Sequence, residues 1–238
     1  MSRQLVDVLL PHVEWDDTSA YVVNDFAYSY LRREFRPPFY GAFMNGVTAH
    51  GLLYLFEATG DLTHRSLARF LLGTMTSPNR RIPLMTERAG RIWLHEYVWR
   101  SDSPAPPGIT VNAGWNCSEI YSGHIHALLP LMRFKAMTGE SLFDTTIEGA
   151  LNTARAEFGQ QILEDRYFSD SKEMPECPDY GQARAWHLPD GLAKVTGEAG
   201  LACMGKRAQT FYKANIEGRD KDILLAGIDA CRPVAFAQ

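Results

Sequence analysis

The sequence predicts a mainly α-helical protein built from short helical hairpins arranged around a centre. The tripeptides at 59–61, 138–140 and 196–198 read Thr-Gly-Asp or Thr-Gly-Glu, and apolar stretches with helical spacing flank each of them. The run RIWLHEYVWR at 91–100 instead alternates with period two and precedes the breaker-rich SDSPAPPG. We therefore expect one domain over residues 1–238, with one short extended segment inserted among helices.

Each tripeptide has a physical reason to separate two helices. Its glycine can adopt the left-handed conformation that ends a helix, and the acidic residue that follows can cap the next helix. The hairpins predicted in this way span approximately 41–75, 120–158 and 180–213, and DKDILLAGIDAC indicates a partial fourth near 220–231. The spacing between the tripeptides is irregular, which argues against a uniform solenoid.

Composition argues against several functional classes. The 24 basic and 28 acidic residues leave a formal charge of −4, so the chain lacks the basic excess typical of nucleic-acid-binding proteins. The four cysteines are far apart, and His124 and His126 would point away from each other on a helix, so we predict no metal and no other cofactor. The N-terminal apolar stretch is too short and too acidic for a signal peptide, and no membrane-length run follows it. We expect a cytoplasmic protein without a membrane partner.

The run at 91–100 carries the densest group of aromatic and ionisable residues. In a strand, Trp93, His95, Tyr97 and Trp99 share one face, and Glu96 lies on the other face among aliphatic residues. An aromatic cluster whose polar tips find ordinary partners is one interpretation. A carboxylate on an apolar face next to a phenol favours an acid–base site instead.

Four segments resemble, in order and spacing, motifs of the C-terminal helical domain of the D-glucuronyl C5-epimerase family. WLHEYV at 93–98 is similar to the family's Trp-x-Glu-Glu-Tyr-Pro, and FYGAFMNG at 39–46 is similar to its Trp-Tyr-Ser-Ala-Met-x-Gln-Gly. YSGHIHALLPLMRFKAMTG at 121–139 resembles its Leu-Asn-Gly helix, and the dipeptide at 179–180 resembles its late Asp-Tyr. The resemblance implies an all-α fold, a toroid-like α/α barrel of about four helical hairpins with a short inserted extended segment near 91–100.

The resemblance also implies a reaction, in which tyrosines act as acid and base at C5 of a hexuronic acid within a polysaccharide. Carried over by position, the catalytic residues are Tyr97, Tyr180, Glu96 and Tyr167. Because an unperturbed tyrosine has a pKa of about 10, one phenol needs a nearby cation or hydrogen bond. The nearest arginines in sequence are Arg88, Arg91, Arg100 and Arg184. Val98 stands where the family has proline, a departure that puts polysaccharide specificity in doubt.

Further residues near these motifs carry groups suited to binding a substrate. They are Tyr40, Asn45, Trp93, His95, Arg100, His124, Trp186 and His187. Core packing or an ordinary hydrogen bond is the alternative role for each of them.

The leading functional hypothesis is an isomerase that removes and returns a proton next to the carboxylate or carbonyl of a uronic acid or related compound. One alternative is a stand-alone biosynthetic enzyme, such as a cyclase, dehydratase or lyase, and another is a non-catalytic glycan-binding module. A glycoside hydrolase ranks lower because it needs two opposed carboxylates, and only Asp179 is a conspicuous partner for Glu96. The expected partner is a small-molecule or oligosaccharide substrate, and a homodimer is one possible assembly.

Overall fold

The computed structural model describes residues 2–30, 32–100, 109–163, 167–175, 182–219 and 221–223. Of these residues 54% are helical and 19% lie in strands, which form five small antiparallel sheets. The prediction of an all-α, toroid-like α/α barrel is therefore wrong, and the protein is mixed α and β. The segments between the helices account for the difference, because stretches such as 13–22 and 85–94 pair locally into antiparallel hairpins. A pattern of helix pairs does not predict these strands.

The helices and strands follow one another along the chain as short elements. In the described residues the helices are α1 (Ser2–Leu9), α2 (Ala42–Thr59), α3 (Leu62–Met75), α4 (Tyr121–Thr138), α5 (Asp144–Glu157), α6 (Gln182–Ala185), α7 (His187–Thr196) and α8 (Ala199–Asn215). The two-stranded sheets pair β1 (Val13–Trp15) with β2 (Ala20–Val22), β3 (Tyr28–Tyr30) with β4 (Arg33–Phe35), β5 (Met85–Arg88) with β6 (Arg91–Leu94), and β10 (Ile162–Leu163) with β11 (Tyr167–Phe168). A three-stranded sheet has the order β7 (Val98–Trp99), β9 (Trp115–Cys117), β8 (Thr110–Asn112).

The chain divides into two units. The first contains the residues up to Phe26 together with 37–119 and 123–152, and the second contains 27–36, 120–122 and the described residues from 153 onward. Of the partial fourth hairpin predicted near 220–231, the structure describes only 221–223. None of the helices that the structure describes is long and apolar enough to cross a membrane.

Helices α2 and α3 pack against each other in the first unit. Gly60 adopts the left-handed conformation at φ +70° and donates its N–H to the Phe56 carbonyl, which ends α2. The Asp61 carboxylate then accepts a hydrogen bond of 2.9 Å from the Thr63 N–H and caps α3. The Thr-Gly-Asp tripeptide at 59–61 therefore ends one helix and begins the next through local hydrogen bonds.

The second unit contains the packed pair α7 and α8 and a small apolar cluster. Phe168 on β11 meets Phe211 on α8 edge to face, with ring centroids 5.3 Å apart. The buried amide of Gln182 accepts a hydrogen bond from the Phe168 N–H at 2.7 Å and donates one to the Phe168 carbonyl at 2.9 Å. These two hydrogen bonds between the Gln182 side chain and the Phe168 backbone attach β11 to α6, beside the apolar cluster.

Glycines in the first unit permit close approaches between elements. A side chain at Gly41 would overlap the carbonyl group of Glu96, and one at Gly123 would overlap the Glu96 side chain. A Cβ at Gly46 on α2 would lie 3.0 Å from Cα of Ala127 on α4. The starts of α2 and α4 are thereby packed against the residues that join β6 to β7.

We predict that Gly41→Ala destabilises the protein, whereas Gly51→Ala does not. The added methyl at Gly41 meets rigid backbone, so the free energy of unfolding should fall by about 3 kcal/mol or more. At Gly51, inside α2, the methyl meets nothing within 4 Å, and the gain in helix propensity should raise stability by up to about 1 kcal/mol. Urea denaturation of both variants measures the difference, and equal stabilities would contradict the packing described here.

Candidate functional site

His95 lies in the break between β6 and β7 and is fully buried. Its backbone N–H donates to the Leu84 carbonyl, and its own carbonyl accepts the Ala42 N–H at 2.7 Å. On the ring, Nδ1 lies 2.9 Å from the Ser118 carbonyl oxygen and Nε2 lies 3.1 Å from Thr86 Oγ1. Both ring nitrogens and both backbone groups of this residue are thus engaged.

The partners of His95 define its protonation. A carbonyl oxygen can only accept, so the hydrogen-bond network assigns the proton to Nδ1, which donates to Ser118. The lone pair of Nε2 then accepts the hydroxyl proton of Thr86, a half-buried residue on β5. A hydroxyl bonded to an imidazole whose other nitrogen is fixed by a third group is the geometry of an activated hydroxyl. We call Thr86 and His95 the hydroxyl–imidazole pair.

Burial sets the charge state of this pair. Loss of hydration lowers the pKa of His95 to about 4. The hydrogen bond to Ser118 and the carboxylate of Glu119 oppose this shift, and the positive charge of Arg88 reinforces it. The imidazole is therefore neutral at physiological pH, and its Nε2 lone pair accepts the Thr86 hydroxyl.

A second chain of hydrogen bonds lies close to the pair. Arg88, on the same strand as Thr86, donates from Nη2 to Thr110 Oγ1 at 3.2 Å. Thr110 in turn donates its hydroxyl to Glu119 Oε1 at 2.8 Å. Glu119 is buried and Arg88 is exposed, so this chain connects an interior carboxylate to a surface guanidinium.

Glu96 is buried beside the hydroxyl–imidazole pair, as its place on the apolar side of the motif suggests. Its carbonyl packs against Gly41 and its side chain packs against Gly123 in the first turn of α4. The positive end of a helix dipole favours a carboxylate at this place. The structure therefore gives Glu96 a position between two helix starts.

The backbone of Tyr97 is hydrogen-bonded to Ser118. Its N–H donates to Ser118 Oγ at 2.8 Å, and its carbonyl accepts the Ser118 N–H at 2.9 Å. Its half-buried ring meets Phe39 edge to face, with centroids 6.0 Å apart. Tyr97 thus helps to hold Ser118, the residue whose carbonyl orients His95.

Tyr40 belongs to a separate aromatic and charged cluster. Its hydroxyl donates to Glu14 at 2.7 Å, and Arg81 donates to the other oxygen of that carboxylate at 2.7 Å. Burial, followed by the hydrogen bond to Glu14, raises the pKa of Tyr40 well above its ordinary value, so this phenol is not a base. Arg100 lies over the ring of Trp115, 4.8 Å from its centroid, and Trp115 also contacts Tyr40.

His124 and Trp93 are packed in the interior. His124 accepts the Leu94 N–H on Nδ1 at 3.1 Å and donates from Nε2 to the Ala150 carbonyl at 3.1 Å. The Trp93 ring lies against the His124 ring, with centroids 5.1 Å apart. Because both nitrogens of His124 are occupied by backbone groups, its role is structural.

Asn45 is a structural residue of the first unit. It accepts the Val22 N–H at 2.9 Å and donates to the carbonyls of Ala20 at 2.8 Å and Leu71 at 3.2 Å. One buried amide therefore connects β2, α2 and α3, and its hydrogen-bonding groups are already used within the protein.

The remaining predicted residues belong to the second unit. Tyr167 donates its hydroxyl to the Pro175 carbonyl at 3.2 Å, and the rings of Trp186 and His187 lie 3.5 Å apart. Tyr180, Asp179 and the side chain of Arg184 lie outside what the structure describes.

Thr86, Ser118 and Glu119 complete the site, and the motif comparison does not single them out. One local signal could have indicated Thr86. In TERAGRIWL the glycine at 90 indicates a tight two-residue hairpin turn at 89–90, and that register places Thr86 directly opposite Trp93. Ser118 and Glu119 carry no such signal, because they reach the site through the pairing of β7 with β9.

Neither a family model nor a curated protein matches this chain. Within the described residues, no group of three or more histidine, cysteine, aspartate or glutamate side chains could hold a metal ion. The candidate site is therefore defined by its own geometry.

We expect acid to destabilise the protein through its two buried histidines. Burial also lowers the pKa of His124 to about 4. In the unfolded chain these histidines take up a proton near pH 6.5, whereas in the folded protein they do so only near pH 4. The free energy of unfolding should therefore be unaffected above about pH 6.5 and should fall by about 3 kcal/mol for each histidine as the pH decreases towards about 4. Urea denaturation between these pH values should show the loss. His124→Gln can keep both hydrogen bonds and should reduce the slope of the unfolding free energy against pH by the equivalent of about one proton. The exposed control His126→Gln should leave this slope unchanged. A curve of unchanged steepness in His124→Gln would contradict this.

Removal of the Asn45 side chain should destabilise the first unit. Asn45→Ala leaves a buried N–H and two carbonyls without their partner, which should lower the free energy of unfolding by about 2 kcal/mol or more. The exposed Asn79→Ala is the control and should change stability by less than about 0.5 kcal/mol. Thermal and urea unfolding measure both variants, and a neutral Asn45→Ala would show that the amide is dispensable.

Proposed function

We propose that the protein is an acid–base enzyme, an isomerase that removes and returns a proton next to the carboxylate or carbonyl of a small uronic acid or related compound. The proton-transfer groups in this proposal are Thr86 and His95. The observation that carries it is the pair of ring contacts, 3.1 Å from Nε2 to Thr86 Oγ1 and 2.9 Å from Nδ1 to the Ser118 carbonyl.

The chemistry follows from these contacts. As Thr86 gives its hydroxyl proton to Nε2 of His95, its oxygen takes a proton from the substrate carbon, and the electron pair remains on the substrate. The imidazolium formed in this step keeps its hydrogen bond to Ser118 and lies near the carboxylate of Glu119. Water on the opposite face of the carbon then gives it a proton, which inverts the configuration, and the imidazolium releases its proton to neutralise the hydroxide formed. Each step conserves protons and needs no group beyond the substrate and water.

This assignment changes which residues of the WLHEYV motif act as the base. Tyr97 and Tyr180 are the bases that the family resemblance implies, yet the imidazole of His95 is already unprotonated at neutral pH, whereas an unperturbed phenol still carries its proton. His95 stands where the family has a glutamate, and the buried Glu96 follows it. The proposal keeps the type of reaction and transfers it from phenols to the hydroxyl–imidazole pair.

Solvent-deuterium incorporation tests the function. The protein is incubated in deuterated water with a panel of uronic acids and uronosides, and mass spectrometry and NMR detect deuterium on the carbon next to the carboxylate. Thr86→Val preserves shape and removes the hydroxyl, so it should slow the exchange by about 100-fold or more, whereas Thr86→Ser should retain most of it. The exposed Thr210→Val is the matched control and should exchange at the wild-type rate.

Two outcomes oppose the proposal. Exchange at equal rates in wild type and Thr86→Val would remove Thr86 from the mechanism. An absence of deuterium from every compound, combined with saturable binding of a neutral oligosaccharide, would favour a glycan-binding module instead.

A further inference from the structure

We infer that Arg88 binds an anionic group of the substrate, and that Thr110 and Glu119 position its guanidinium for this role. The inference rests on the proposed function, because it assigns the substrate of the same site a carboxylate next to the reacting carbon. It identifies a residue that determines specificity, separate from the pair that moves the proton.

Strand register places Arg88 on the same face of the β5–β6 hairpin as Thr86. Side chains two residues apart on a strand point to the same face, so Arg88 shares the face of Thr86 at a separation of about 7 Å along the strand. Thr86 pairs with Trp93, and Arg88 pairs with Arg91. The face that carries the reactive hydroxyl therefore also carries positive charge, while Ile92 on the opposite face packs against Gly149.

The Arg88 guanidinium retains donors for a ligand. It is exposed, and among the described residues its hydrogen bond is the single one to Thr110, with no carboxylate within ion-pair distance. The planar fork of an arginine can bind both oxygens of a carboxylate at once. One N–H group is committed to Thr110, which leaves the others for an anion.

The contact with Thr110 gives the guanidinium a defined position. Thr110 accepts from Arg88 and donates to the buried Glu119, so its hydroxyl cannot exchange these roles without breaking the bond to the carboxylate. A long exposed side chain loses rotamer entropy when it binds a ligand. The hydrogen bond to Thr110 already restricts Arg88, so less entropy remains to be lost on binding. Thr110 and Glu119 are positioning residues in this arrangement.

A cation at this place also fits the reaction. Removal of a proton next to a carboxylate moves negative charge onto that group, and a donor already oriented towards it stabilises the transition state. The same positive charge opposes protonation of His95, which keeps the base free before the substrate arrives.

Binding of a charged and a neutral ligand tests the inference. The probes are D-glucuronate and D-glucuronamide, which differ in charge at one group, titrated at constant ionic strength while the arginine Nε–H and tryptophan indole signals are followed by NMR. We expect D-glucuronate to shift the Arg88 signal saturably and D-glucuronamide to bind at least about tenfold more weakly. Arg88→Gln should weaken D-glucuronate by at least about tenfold, and Arg88→Lys should recover only part of the affinity.

Arg69→Gln is the matched control, because it removes the same charge from an exposed arginine on α3 that has no part in the site. It should leave the affinity for D-glucuronate within about twofold of wild type, as expected when only long-range charge changes. Equal effects of the two substitutions, equal affinities for the two probes, or no saturable shift of the Arg88 signal would each overturn the inference.

A second measurement separates this inference from the proposed function. Thr86→Val removes the relay and leaves Arg88 in place, so Arg88→Gln should weaken D-glucuronate binding by the same factor in Thr86→Val as in wild type. Binding that depends on Arg88 without any deuterium exchange would support the anion site and reject the isomerase. Exchange with an unchanged KM in Arg88→Gln would support the isomerase and reject the anion site.

Discussion

The packing of two glycines against Glu96 is the constraint on which the site depends. Gly41 admits the Glu96 carbonyl at the start of α2, and Gly123 admits its side chain at the start of α4. Any larger residue at either place would push the connection between β6 and β7 away from the helices. Because His95 precedes Glu96 and bonds to the Ala42 N–H, these contacts also decide where the imidazole lies. The position of the backbone at 95–96 therefore determines where the His95 side chain can act.

Burial then gives the imidazole its properties. A ring without access to water is costly to protonate, and this cost is what keeps His95 neutral. The Ser118 carbonyl fixes the tautomer, and the pairing of β7 with β9 supplies that carbonyl. Contacts from β5, from α2 and from Ser118, which follows β9, thus converge on His95. His124 is buried to the same extent, but both of its nitrogens meet backbone groups, and so it remains structural.

Charge is distributed unevenly around the hydroxyl–imidazole pair. Glu119 lies inside, Arg88 lies at the surface, and Thr110 connects them. A carboxylate on the interior side favours the imidazolium that forms during proton transfer, and a guanidinium on the outer side favours an anionic ligand. The resemblance to D-glucuronyl C5-epimerases supplies the reaction type of our proposal, while the distances in the first unit supply its residues.

The sequence by itself determined features that depend on neighbouring residues. The Thr-Gly-Asp tripeptide at 59–61 ends one helix and caps the next through hydrogen bonds within a few residues, and the burial of Glu96 follows from its place among aliphatic neighbours. Tertiary structure alone decided the mixed α and β class, the structural role of Asn45 and the partnership of His95 with Thr86. The physical reason is the separation of the interacting residues along the sequence. Periodicity reports which face of an element is apolar, whereas strand register and close backbone approaches decide which distant groups that face contacts.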